Sequence, residues 1–70
     1  MKLSEVKPNM HKSVMYDSSV YWLQSCVLWL DERNYEFKYS LILIDKNQNS
    51  TIEVPIEKVE VMPDEYDIRR

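Results

Sequence analysis

Residues 20–44 read VYWLQSCVLWLDERNYEFKYSLILI, and the fold turns on how this stretch is parsed. Its second half alternates: Tyr35, Phe37, Tyr39, Leu41 and Leu43 share one face while Glu36, Lys38 and Ser40 point to the other, the period-2 signature of a half-buried strand. The first half, Val20–Leu30, is ambiguous, because Val20, Leu23, Val27 and Leu30 also fit a helical stripe that Asp17 or Ser18 would cap. Its β-branched and aromatic content, and the need of Tyr35–Ile44 for a partner, favour a strand. Antiparallel pairing through the loop Asp31–Asn34 sets Leu30 opposite Tyr35, Leu28 opposite Phe37 and Cys26 opposite Tyr39, all on one apolar face. A bulge near Gln24-Ser25 then brings Tyr21 and Leu23 to that face beside Leu41 and Leu43, and bends the strand.

Working outward, Val14 and Tyr16 supply a strand over Ser13–Tyr16, and Ile52, Val54 and Ile56 supply one over Thr51–Ile56. Pro55 lacks a backbone donor, so that strand ends there or lies on an edge. A Pro-Ile-Glu corner, fit for one turn of 3₁₀ helix, precedes a short last strand at Val59–Met62. The chain has no glycine, so Asn and Asp are expected to serve the turns at Lys7-Pro8-Asn9-Met10, a type II candidate, and at Asp17-Ser18-Ser19, Asp31–Asn34 and Asp45–Ser50. Any helix is expected to be confined to 3₁₀ geometry near Pro55–Lys58.

Five short antiparallel strands, a long bent second strand and a one-turn corner before the last strand resemble the SH3-like small β-barrels. The resemblance implies an all-β, five-stranded antiparallel barrel over about residues 6–62, within a single domain of residues 1–70 whose residues 63–70 form an acidic/basic tail. It rests on strand order and hydrophobic spacing rather than on a diagnostic motif, and Asn9 stands where such barrels often use glycine. The pattern Lys7-Pro8-Asn9-Met10, Val14-x-Tyr16, Tyr21-x-Leu23, Tyr39-x-Leu41-x-Leu43-x-Asp45 and Val54-Pro55-Ile56-Glu57-x-Val59 is also similar to small uncharacterised proteins of bacterial plasmids, prophages and conjugative elements. That likeness brings no active site with it.

Seventy residues allow one small core, and the single Cys26 cannot close an intrachain disulfide, so packing alone must hold the fold. Neither a signal peptide nor an apolar run long enough to span a bilayer is legible, and a cytoplasmic protein without membrane contact is expected. The Asn49-Ser50-Thr51 sequon matters only in a secretory compartment. The net charge is −3. Residues 1–35 balance four cations against four carboxylates, whereas 53–67 set six carboxylates against Lys58 alone, so the acidity lies at the C-terminal end.

Chemistry-bearing residues are sparse. One His and one Cys cannot make a structural zinc site. Asp45-Lys46-Asn47-Gln48-Asn49 imitates the start of a calcium loop, but Ser50 replaces the turn glycine and Ile56 the bidentate Glu, leaving a polar hairpin loop. His11 sits beside Lys12 on an expected surface loop, Cys26 faces inward as an inert hydrophobe, and Asp64, Glu65 and Asp67 lie in a tail, so neither nucleophilic nor acid–base catalysis has its parts. No catalytic residue and no cofactor is expected. Trp22, Trp29, Tyr35, Phe37 and Tyr39 could stack bases, but the core claims most of them and Lys12, Arg33 and Lys38 are too few for a phosphate track, so direct nucleic-acid binding is not expected.

What remains is the side of the hairpin turned outward. With Tyr21, Leu23, Cys26, Leu28 and Leu30 inward, Trp22, Val27, Trp29, Ile42 and Ile44 form an apolar stripe outside, with Trp22 next to Ile42, Val20 to Ile44, Val27 to Lys38 and Trp29 to Glu36. Two uses compete. The stripe is a contact surface for a protein partner or a second copy, or Met1–Val6 or Tyr66–Ile68 folds over it as a second core. A non-enzymatic protein-binding or self-associating domain is therefore expected, acting through the outer face of the 20–44 hairpin. The alternative is an acidic decoy, inhibiting a nucleic-acid-binding enzyme through residues 53–67.

Overall fold

The computed structural model describes residues 1–45 and 50–62. Five antiparallel strands form one sheet: β1 Ser13–Tyr16, β2 Ser19–Asp31, β3 Glu36–Asp45, β4 Ser50–Pro55 and β5 Val59–Val61, in the spatial order β4-β3-β2-β1-β5. A 3₁₀ turn over Ile56–Lys58 connects β4 to β5. The chain is thus mostly β, with β4 and β5 as the outer strands of an open sheet. Among the described residues no helix is long and apolar enough to cross a membrane.

One element departs from the expected all-β chain. Leu3–Asn9 forms a short helix, α1, so Lys7-Pro8-Asn9-Met10 is not a type II turn but the helix end and its exit. The Lys2 amide donates to Glu5 Oε1 at 2.8 Å, satisfying one of the free donors at the start of the helix. Pro8 removes a helical donor near the C-terminal end, where the helix is already finishing, and Asn9 Nδ2 donates to the Glu5 carbonyl at 2.7 Å. Seven residues do not hold a helix in water by themselves. Here Val6 is buried in the core, Met1 and Met10 pack against it, and the Met1 amine donates to the carbonyls of Val59 and of Ile56, the latter at 3.1 Å.

Every element gives the core at least one side chain: Val6 from α1, Val14 from β1, Leu23 from β2, Leu41 and Leu43 from β3, Val54 from β4, Ile56 from the 3₁₀ turn and Val59 from β5. Tyr16, Tyr21, Cys26, Tyr39 and Ile52 border this cluster, partly buried. Burying eight aliphatic side chains, at about 1.5–3 kcal/mol each, is the main driving force of a domain this small.

The β2–β3 pairing is two residues out from the expected register. Leu30 faces Phe37, Leu28 faces Tyr39 and Cys26 faces Leu41, and β2 and β3 close on the pair Asp31–Glu36 around a loop of Glu32–Tyr35. Asp31 sets this. Its carboxylate accepts the Arg33 amide at 3.1 Å and Asn34 Nδ2 at 3.3 Å, so it belongs to the last rung of the ladder and the loop starts one residue later. Tyr35 then re-enters β3 from the left-handed region, with φ of 55°. A shift of two keeps every side chain on its face, because the strand period is two. The irregularity between Leu23 and Ser25 leaves Gln24 without an opposite residue and moves the core-facing set from odd to even numbers, which joins Leu23 to Cys26 on one side.

The absence of glycine is met differently from expectation. Among the described residues, positive φ falls on His11, Asp17, Ser18 and Tyr35, so only Asp17 is of the Asn/Asp type. Asp17 and Ser18, at φ of 52° and 64°, are the two central residues between the paired Tyr16 and Ser19, the geometry of a type I′ hairpin turn. The Asp45–Ser50 loop, with its calcium-like spacing, lies largely outside the described residues, as do Asp64, Glu65 and Asp67.

Candidate functional site

The lengths of the strands determine what is left uncovered. β2 has thirteen residues and β3 ten, but β1 pairs with β2 only over Ser19–Trp22, and β4 with β3 only over Ser40–Asp45. The backbones of His11 and Lys12 extend the cover of β2 by one residue, with Leu23 donating to the Lys12 carbonyl at 3.0 Å and accepting from the His11 amide at 2.9 Å. Beyond these points β2 has no partner but β3 from Ser25 on, and Leu28–Asp31 and Glu36–Tyr39 pair, among the described residues, only with each other. These last four rungs form a two-stranded arm about 13 Å long at about 3.3 Å per residue.

The face of the arm that continues the core is apolar and open. Tyr39 and Cys26 still touch the core, but Leu28 is 54% exposed and Phe37 69%, Leu30 is exposed as well, and Tyr35 in the adjoining loop is 81% exposed. This corrects the expectation that the full alternation from Tyr35 to Leu43 and from Tyr21 to Leu30 lies inside. Alternation shows which side of a strand is apolar. It does not show how far along the strand the opposite layer reaches, and β1, β4 and β5, of four, six and three residues, are too short to cover the arm.

The other face carries the five side chains expected as an outer stripe. The register puts Trp22 with Ile44, Ile42 with Ser25, Val27 with Ser40 and Trp29 with Lys38, all on the side away from the core. Trp22, Val27, Ile42 and Ile44 are half-buried, and Trp29 is exposed. The neighbours expected for Trp22, Val27 and Trp29 were each two residues away from the observed ones. Trp22 lies parallel to the His11 ring, with centroids 6.4 Å apart. Trp29 Nε1 donates to Ser40 Oγ at 2.8 Å, tying the arm across its two strands. Met1–Val6 packs on the core side of the sheet, so it is not a cover for this stripe; Tyr66–Ile68 lies outside the described residues.

At the base of the arm loop Asp31, largely buried, also pairs with Lys38 Nζ at 3.0 Å. The hydrogen bond from Lys38 holds the Asp31 carboxyl below its ordinary pKa, helped by the Arg33 amide and opposed by partial burial; the same contact raises the Lys38 ammonium. Cys26 is half-buried, and loss of water around it pushes its thiol up, away from the reactive thiolate. Among the described residues no three His, Cys, Asp or Glu side chains converge on a point that could hold a metal ion. A depression of about 240 Å³ is lined by Met15, Asp17, Ser18, Lys58 and Glu60.

The sequence reading therefore found the apolar outer stripe but missed Leu28, Leu30, Tyr35 and Phe37 as surface residues. The strand lengths in the folded chain account for them: strands of thirteen and ten residues are not covered along their whole length by neighbours of three to six. No protein-family model, curated protein or solved structure matches the chain.

Proposed function

We propose that this chain is a non-enzymatic protein-binding domain that makes its contact through the projecting β2–β3 arm. The observation that carries the reading is the exposure of Leu28, Tyr35 and Phe37 on a ribbon that neither β1 nor β4 covers. An isolated two-stranded ribbon is only marginally stable in water, and its side chains are those of a core, so it is built for an environment that includes something else. Aromatic side chains are also suited to a contact, because they bury a large area with few rotatable bonds. The site thus moves from the outer stripe alone to the whole arm, with the stripe reduced to its exposed member, Trp29.

Exposed aromatics also serve as stacking platforms for nucleic-acid bases, but the arm lacks the charge for it. Asp31, Glu32 and Glu36 outnumber Arg33 and Lys38, and Lys38 is already held by Asp31. We keep the acidic decoy as the second reading, since Glu53, Glu57 and Glu60 are all exposed. The order of strands and the 3₁₀ corner before β5 support placing the domain with the SH3-like small barrels, a likeness of fold that assigns no activity.

Phe37→Lys and Leu28→Lys separate the two readings from each other. Both should abolish retention of a host protein while leaving the melting temperature of the dilute protein unchanged. If Glu57→Gln with Glu60→Gln abolishes binding instead, and binding collapses with added salt, the decoy reading replaces this one.

A further inference from the structure

Among the described residues the sheet has four free edges, and they are not alike; that of β3 along Glu36–Tyr39 carries Glu36 and Lys38. β4 carries Glu53 and Pro55 on an exposed strand, and β5 is only three residues long with Glu60 at its centre and Lys58 just before it. A charge, a proline and brevity are the devices that keep a sheet edge from pairing with another chain. The outward edge of β2 along Ser25–Asp31 has none of them. Residues 20–30 contain no charged residue and no proline, the bulge at Gln24 lies before the free edge begins, and Asp31 at its end is held by Lys38.

We infer that this edge pairs antiparallel with the same edge of a second copy, joining two arms into one four-stranded sheet about a two-fold axis at Leu28. The inference rests on the proposed role of the arm and names its partner. The register follows from parity. A two-fold axis perpendicular to the sheet keeps each apolar face on its own side, so even residues must meet even residues. Centring on Leu28 uses all seven residues of the free edge. Leu28 then faces Leu28, Val27 faces Trp29, Cys26 faces Leu30 and Ser25 faces Asp31. No like charges meet, so the segment is complementary to itself, and a four-stranded arm with a continuous apolar face has the stability a two-stranded one lacks. The paired edge is only seven residues long, so the dimer belongs with weak, transient contacts and forms toward the millimolar end of the concentration range.

The test uses the full chain. Sedimentation equilibrium from micromolar to millimolar protein should show monomer and dimer only. In a Cys26→Ser background, Leu28→Cys side chains sit directly opposite across the axis, at a Cα separation of about 4.5–5.5 Å that a disulfide spans, and should cross-link copies readily on oxidation. Cys26 in the unaltered chain faces Leu30 and should not. As a second variant, Leu28→Lys sets two ammonium groups opposite each other and should raise the dimer dissociation constant at least about tenfold without lowering the melt of the dilute protein. A chain that stays monomeric overturns the inference, and so does a dimer that cross-links equally well at both positions or at neither. The wider reading of the arm fails separately: a monomer whose retention of a host protein is lost in Phe37→Lys removes the second copy and leaves the arm as the binding surface.

Discussion

Asp31 does more than any other single residue to shape the arm, because three contacts converge on one carboxylate: the Arg33 amide, Asn34 Nδ2 and Lys38 Nζ. Its pKa is lowered in the folded protein, so its contribution to stability is present above the ordinary aspartate pKa and is lost as the pH falls through the lowered value. The Lys38 pKa is raised, so the lysine side of the same pair contributes below the ordinary lysine pKa and loses it as the pH rises through the raised value. The loop is therefore expected to stay ordered across the neutral range and to loosen only below the usual carboxylate range or in strong base. Carboxyl carbon shifts followed by NMR check this. Asp31 should titrate below the usual range, Lys38→Gln should move it back up, and an ordinary midpoint in the unaltered chain would show that the contact does not persist in solution.

Among the elements, the hairpins show how a chain without glycine makes tight turns, and what that costs. Asp17 and Ser18 both sit in the left-handed region, where a Cβ atom is unfavourable by about 1–2 kcal/mol. Aspartate offsets part of this by local hydrogen bonding, serine less. Ser18→Gly should therefore raise the unfolding free energy by about 1 kcal/mol, read as a higher denaturant midpoint with an unchanged slope. The helix α1 is the opposite case. Its local signals are poor, with a lysine before it and a proline inside, yet it forms because Val6 has a place in the core.

For the whole molecule, the decisive quantity is where the core ends. Leu41 is fully buried and Phe37, four residues earlier on the same face of the same strand, is 69% exposed. Leu41→Ala should accordingly cost about 2–5 kcal/mol by leaving a cavity, whereas Phe37→Ser, measured in protein too dilute to associate, should change stability by under about 0.5 kcal/mol. Equal losses in thermal or denaturant melts would place the arm inside the core and remove the contact surface with it. The sequence by itself determined the strands, their faces and the break near Gln24, because alternation, β-branching and a parity change are properties of neighbouring residues and do not depend on what packs against them. Only the tertiary structure decided the helix at Leu3–Asn9, the two-residue shift of register and the exposure of Leu28, Leu30, Tyr35 and Phe37. Each of these depends on a remote partner: a hole that Val6 fills, three donors gathered by one carboxylate, and neighbouring strands too short to reach the end of the longest hairpin.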